Sequence, residues 1–136
     1  MQHLTANGIT LGYDSFGEDH AEAILLIAGL GTQRIRWSDP FCTELASHGF
    51  RVIRFDNRDA GESTHFTHSP APDFSALAQA VATQQKPNVP YTLQDMAADA
   101  IGLLDALDIK RAHVVGRSLG GMIAQLMASL YPQRVL

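Results

Sequence analysis

The six residues Gly116-Arg117-Ser118-Leu119-Gly120-Gly121 constrain this chain more than any other stretch. They join a short apolar run, Ala112-His113-Val114-Val115, to an apolar run at 122–130 with helical character. A strand that turns directly into a helix brings the two backbones so close that side chains at the flanking positions would collide. Glycine fills both positions here. Such a turn holds its serine in a strained conformation and pushes the hydroxyl into solvent, which is the nucleophile-elbow pattern. The first turn of the following helix offers free amides that favour a developing negative charge. The bare Gly-x-Ser-x-Gly string also arises by chance, so the strand before it and the helix after it carry the assignment.

The rest of the chain supplies a matching frame. Asn7-Gly8 predicts a two-residue hairpin turn between strands at 3–6 and 9–15. The continuous apolar run Ala23-Ile24-Leu25-Leu26-Ile27-Ala28 reads as a strand buried on both faces, ended by Gly29-Leu30-Gly31. Trp37, Phe41, Leu45 and Ala46 fall on one side of a helix expected over 37–48, with Gly49 as its stop. A further strand covers 51–56, and its end is dense in turn formers. Four prolines between 64 and 90 bracket one helix, expected at 74–84. Thr92 and Asp95 form a capping box, and Leu93, Met96, Ala97, Ala100, Ile101, Leu104 and Leu107 then recur at helical spacing. After the helix at 119–131, Pro132 is a stop and Arg134-Val135-Leu136 reads as the onset of another strand. A hairpin followed by alternating strands and helices predicts an α/β fold: a mostly parallel, doubly wound sheet with helices on both faces. Chemistry in such sheets gathers at the carboxyl ends of the strands, where the loops at 29–31, 56–63 and 116–121 all lie.

Composition excludes several function classes. A net charge of −4 with no block of like charges argues against nucleic acid and anionic membranes as partners. Arg51, Arg54 and Arg58 alternate with apolar residues along one strand and are expected to be structural. Cys42 is the single cysteine, so neither an internal disulfide nor a thiolate zinc cluster can form, and its helical setting marks it as core. The first ten residues carry no secretory leader, and no apolar run approaches bilayer length, so a cytoplasmic location is expected. No metal or cofactor is called for.

An attacking serine needs an oxyanion hole, and in this architecture its donors are two backbone amides. One follows the serine, at Leu119. The other lies in the loop after the third strand, at Leu30. Substrate walls are expected from Gln33, Trp37 and Arg117 beside them.

Gly29-Leu30-Gly31 with Trp37, the run from Arg51 through Ser63, and 112–125 together resemble the α/β-hydrolase fold superfamily. Within it the resemblance is to the branch of ester hydrolases that includes the aclacinomycin methylesterases. It implies a cofactor-free serine hydrolase acting on a carboxylic ester or related carbonyl compound. It also implies that Asp56, Arg58, Gly61 and Ser63 form a turn bracing the rim of the site. Two positions depart from the pattern: Ala28 stands where histidine is common, and Arg117 where small or apolar residues are usual. A solvent-directed Arg117 is expected. Because the nucleophile position is Ser118 rather than aspartate, dehalogenase and epoxide hydrolase chemistry are disfavoured.

The superfamily's triad runs serine, then acid, then histidine, and all six histidines here precede Ser118. His113 is expected to be structural, and His65 and His68, near the active rim, are the only substitutes to consider. Residues 1–136 therefore read as the N-terminal part of a single α/β-hydrolase domain, truncated after the nucleophile helix, with acid and histidine to follow. The outer edge of strand 112–115 is then open to a second copy or to a complementing C-terminal segment. Two other readings remain at this level. Gly29-x-Gly31 after a buried strand, with Asp56 ending the next, fits a dinucleotide site, although Arg34 occupies the third glycine position. The chain can also be read as a binding or assembly module that completes its sheet through a partner.

Overall fold

Residues 1–136 are described by a computed structural model. The apolar run becomes β3 (Glu22–Ile27), an interior strand whose residues from Ala23 onward are buried. β4 (Phe50–Phe55) and β5 (Ala112–Gly116) pair with it in parallel on either side. Asn7 and Gly8, both at positive φ, close the hairpin of β1 (Gln2–Ala6) and β2 (Ile9–Phe16), and β2 pairs antiparallel with β4. The five-stranded order is β1-β2-β4-β3-β5. The sheet is thus mixed: three parallel strands carry the site, and an antiparallel hairpin extends one edge.

Helices cover both faces, as the alternation of elements requires. On one face α3 (Leu93–Ala106) and α4 (Leu119–Leu130) cover the larger core, with Leu25, Ile27, Ile53, Phe55, Leu104 and Ile123 at its centre. On the other, α1 (Asp39–Ser47) packs Cys42 against Ile24, Leu26 and Val52. Cys42 is fully buried, and burial pushes its thiol pKa up, as expected of a core residue. The Thr92–Asp95 capping box opens α3 with both of its reciprocal hydrogen bonds formed. No helix is long and apolar enough to cross a membrane.

Several boundaries differ from the expected ones, each for a local reason. α1 begins at Asp39 rather than Trp37, because the Ser38 hydroxyl accepts the Phe41 N–H and Pro40 is preset for a first turn. Trp37 is left in extended backbone after a 3-10 turn at Arg34–Arg36. α2 (Phe74–Ala82) stops before Thr83 and Gln84, the latter at positive φ. Arg134 ends a second 3-10 turn, Pro132–Arg134, and its guanidinium donates to the Ile109 and Lys110 carbonyls instead of entering a strand. Only Val135 reaches strand geometry, bridging in parallel to Ala112. Past that bridge the outer edge of β5 is open, and Val115 is exposed.

The arginines of β4 and its following loop are structural, as their alternation predicts. Arg54 reaches Asp14 and Asp39, and Arg51 reaches Asp19. Burial raises the Asp14 pKa, but the hydrogen bonds and charges of Arg54 and Arg34 outweigh it and hold the carboxyl below its usual range. Arg58 forms a two-pronged pair with Asp99 of α3, both bonds at 2.7 Å, with the side chains 6% and 2% exposed. Asn7, in the hairpin turn, donates to the same carboxylate at 2.9 Å. One buried charge therefore ties β4's loop, α3 and the hairpin together. Removing one member strands the other without a partner. Asp99→Leu should cost about 3 kcal/mol in urea unfolding, and adding Arg58→Met should recover at least half of it. An equal loss in the single and double variants would refute this.

Candidate active site

The elbow is built as its glycines require. Ser118 sits at φ 54°, ψ −123°, a conformation glycine enters freely and serine only under strain. A Cβ at Gly116 would lie 2.1 Å from the Gly120 carbonyl oxygen, and one at Gly120 would lie 2.1 Å from that of Ile27. The helix therefore starts directly on the end of β3 because neither residue has a side chain. Arg117 donates its N–H to the Ile27 carbonyl, and Ser118's own carbonyl accepts from Gly121 and Met122. The serine side chain is exposed and makes no hydrogen bond to another side chain.

The loop after β3 passes against this turn. A Cβ on buried Gly29 would sit 3.3 Å from that of Ser118. Leu30 follows, and its N–H makes no hydrogen bond within the protein. Leu119 is the first residue of α4, where amides lie beyond the reach of the helical ladder. It too donates to no turn or loop acceptor. One unpaired amide thus adjoins the serine in α4, and the other lies next to Gly29, the residue that packs against Ser118.

Two buried residues hold the loop in place: Asp56, which the resemblance assigns to the bracing turn, and Asn57, to which the sequence assigns no role. Asn57 donates from Nδ2 to the Ala28 carbonyl at 2.9 Å. The Asp56 carboxylate accepts the Arg34 N–H at 2.6 Å, the Arg34 guanidinium, and the Glu62 N–H at 3.0 Å. A Cβ at Gly61 would collide with that carboxylate, so glycine is required there. Ser63 Oγ donates to the Asp56 carbonyl at 2.6 Å and accepts the Gly12 N–H, which pins the turn to β2. The Asp56–Ser63 turn is a brace, as the resemblance implied. It also removes the dinucleotide reading: Asp56 is fully buried and engaged, and no helix opens at Gly31.

A cleft of about 350 Å³ opens beside the elbow. Its walls come from Gly29–Gly31, from Asn57–Ala60, from the start of α3, and from Leu119. Leu30 and Leu119 line it. Gln33 is exposed outside it, and Trp37 stacks on Phe41 at 5.7 Å on the α1 side, where the Ser38 cap leaves it. Arg117 is exposed, with no ion-pair partner. Tyr91 closes one side of the cleft, donating its hydroxyl to Asp59 at 2.6 Å. Burial and that bond push the Tyr91 pKa up to about 12, so it stays neutral.

No histidine stands with the serine. His113 lies 2.7 Å from Glu22, at the opposite end of the strands, which makes it structural. His65 donates to the Gly61 carbonyl at 3.0 Å, and His68 is exposed with no hydrogen bond.

Known proteins share this fold. The profile described as alpha/beta hydrolase fold matches residues 22–136. The chain belongs to the alpha/beta hydrolase fold family. Rhodomycin D methylesterase of Streptomyces sp. strain C5 is 36% identical over 133 residues, covering 98% of this chain and 39% of that protein. An enol-lactonase from Burkholderia xenovorans LB400 superposes with a TM-score of 0.75 at 31% identity, over 98% of this chain and 44% of its own. A hydrolase from Pseudomonas aeruginosa PA01 gives 0.75 at 32%, over 98% and 42%. The chain spans about two fifths of the length of these relatives.

The strain at Ser118 is measurable. Ser118→Gly should raise unfolding stability by about 1 kcal/mol, strain relief exceeding the entropy glycine adds to the unfolded chain. Ser118→Ala, which keeps a Cβ at the same φ, should not. Equal effects of the two in thermal unfolding would contradict a strained elbow.

Proposed function

We propose that this chain carries the nucleophile and oxyanion hole of a serine hydrolase that cleaves carboxylic esters. The observation that carries the reading is the strained, exposed Ser118, with the unpaired amide of Leu119 adjoining it and that of Leu30 next to Gly29. Ser118 Oγ attacks the ester carbonyl carbon, and the carbonyl oxygen takes up the negative charge between the two amides. The hydroxyl proton passes to a base and then to the departing alkoxide as the carbon–oxygen bond breaks. An acyl-serine and an alcohol result. Water then attacks the acyl-serine, releasing the carboxylic acid and returning a proton to Ser118.

Losing one oxyanion donor costs about 2.7–4 kcal/mol of transition-state stabilisation in enzymes of this kind. Here both donors are main-chain groups, so Asp56 and Asn57, which hold the loop that carries Leu30, set the position of one of them. The base is a histidine, oriented by an acid, that this reading takes from outside residues 1–136. His65 and His113 are engaged by the Gly61 carbonyl and Glu22, and the family resemblance orders both partners after the serine. A methylesterase and an enol-lactonase among the relatives support ester linkages, open-chain and cyclic, as the substrate class. Arg117 remains a candidate contact for a substrate's polar or anionic end.

The test uses the complete gene product. A fluorophosphonate probe should add to Ser118, as read by peptide mass spectrometry. Ser118→Ala should abolish labelling and lower kcat for p-nitrophenyl acetate by at least about 10³-fold. Undiminished hydrolysis by Ser118→Ala would overturn the reading.

A further inference from the structure

A second, larger cavity of about 800 Å³ adjoins the cleft lined by Leu30 and Leu119. The two share the walls Asp59 and Tyr91, which are hydrogen-bonded to each other. The far wall is α2, whose Phe74, Leu77 and Ala80 recur at three-residue spacing and so share one helical face. No residue of α2 is buried, and only Leu77 and Ala80 are half-covered. This helix therefore stands over a void rather than over a packed core.

The chemistry of the cavity is that of an apolar, ring-sized group. Phe66 and Tyr91 present tilted aromatic rings 5.1 Å apart, and Pro90 and Val89 continue the wall. Its two carboxylates are already occupied. Asp59 accepts the Phe66 N–H and the Tyr91 hydroxyl, and Asp73 caps α2 by accepting the Ala76 N–H. Lys86 is exposed at the margin. An anion or a highly polar ligand finds no unpartnered buried donor here, whereas an uncharged ring covers apolar wall that water otherwise wets.

We infer that this cavity is a second substrate compartment, taking an uncharged, ring-bearing group attached to the bond that is cleaved at Ser118. The division of space fits one molecule: the smaller cleft takes the reacting carbonyl and its near substituents, and the larger cavity takes the bulk. Tyr91 and Asp59 are then specificity residues, because they line both spaces. The inference rests on the proposed serine chemistry only for the identity of the bond. Affinity of the cavity for an aromatic group does not need Ser118 to react.

Benzophenone, an uncharged two-ring ketone that cross-links to nearby C–H bonds under near-ultraviolet light, tests this. With the complete gene product, saturable cross-links should map by peptide mass spectrometry to residues 66–91. Ala80→Trp, which fills the cavity, should cut them at least fivefold, and Ser118→Ala should leave them unchanged. Cross-links concentrated on the α3–α4 groove of Leu93, Met122 and Leu126, labelling that does not saturate, or labelling indifferent to Ala80→Trp would overturn the inference. Should Ala80→Trp not fold, the wild-type map decides alone. Intact cross-linking in a protein whose Ser118 proves unreactive would remove the hydrolase reading and leave the cavity standing.

Discussion

Everything at the rim depends on how closely α4 approaches the end of β3. The backbone of Gly120 lies against the Ile27 and Ala28 carbonyls, a contact that any side chain would forbid. That approach forces Ser118 into its positive-φ conformation and brings it beside Gly29. It also sets the first amide of α4 near the loop that carries Leu30. A single steric condition, met by Gly116 and Gly120, thus generates the strain at Ser118, its exposure and the approach of α4 to the loop that carries Leu30.

Such a condition would be of little use if the opposing loop were free to move, and buried charge prevents that. Asp56 gathers three donors from Arg34 and Glu62, and Asn57 ties the loop back at Ala28. Farther out, Arg58 and Asp99 lock the same turn to α3, while the rings of Phe66 and Tyr91 flank the guanidinium at 5.1 and 4.8 Å. Buried pairs of this kind add little net stability, but once formed they are costly to break. Their effect here is to allow one arrangement of the loops and to penalise others.

The parts of this design visible in the sequence are those written in adjacent residues. The elbow glycines, the Asn7-Gly8 turn, the Thr92–Asp95 box and the apolar β3 run each state a local backbone requirement. The pairings that brace the site do not, because Arg58 and Asp99 are 41 residues apart and Arg34 and Asp56 are 22 apart. No periodicity links them, and only the topology brings them together. Closeness in sequence to Leu30 points Gln33 and Trp37 toward the cleft. Ser38 and Pro40 could have warned that the chain turns into α1 at that point and carries Trp37 to the other face. Nothing in the sequence around Tyr91 shows that its ring closes the cleft.

The central claim is that the Leu30 and Leu119 amides jointly receive the oxygen of a group bonded to Ser118. The most direct measurement is a crystal structure of the complete gene product carrying a phosphonyl adduct on Ser118 Oγ. The account predicts the phosphonyl oxygen within about 2.7–3.1 Å of both amide nitrogens. An adduct whose oxygen faces solvent, or is held by a side chain instead of these two amides, would contradict it.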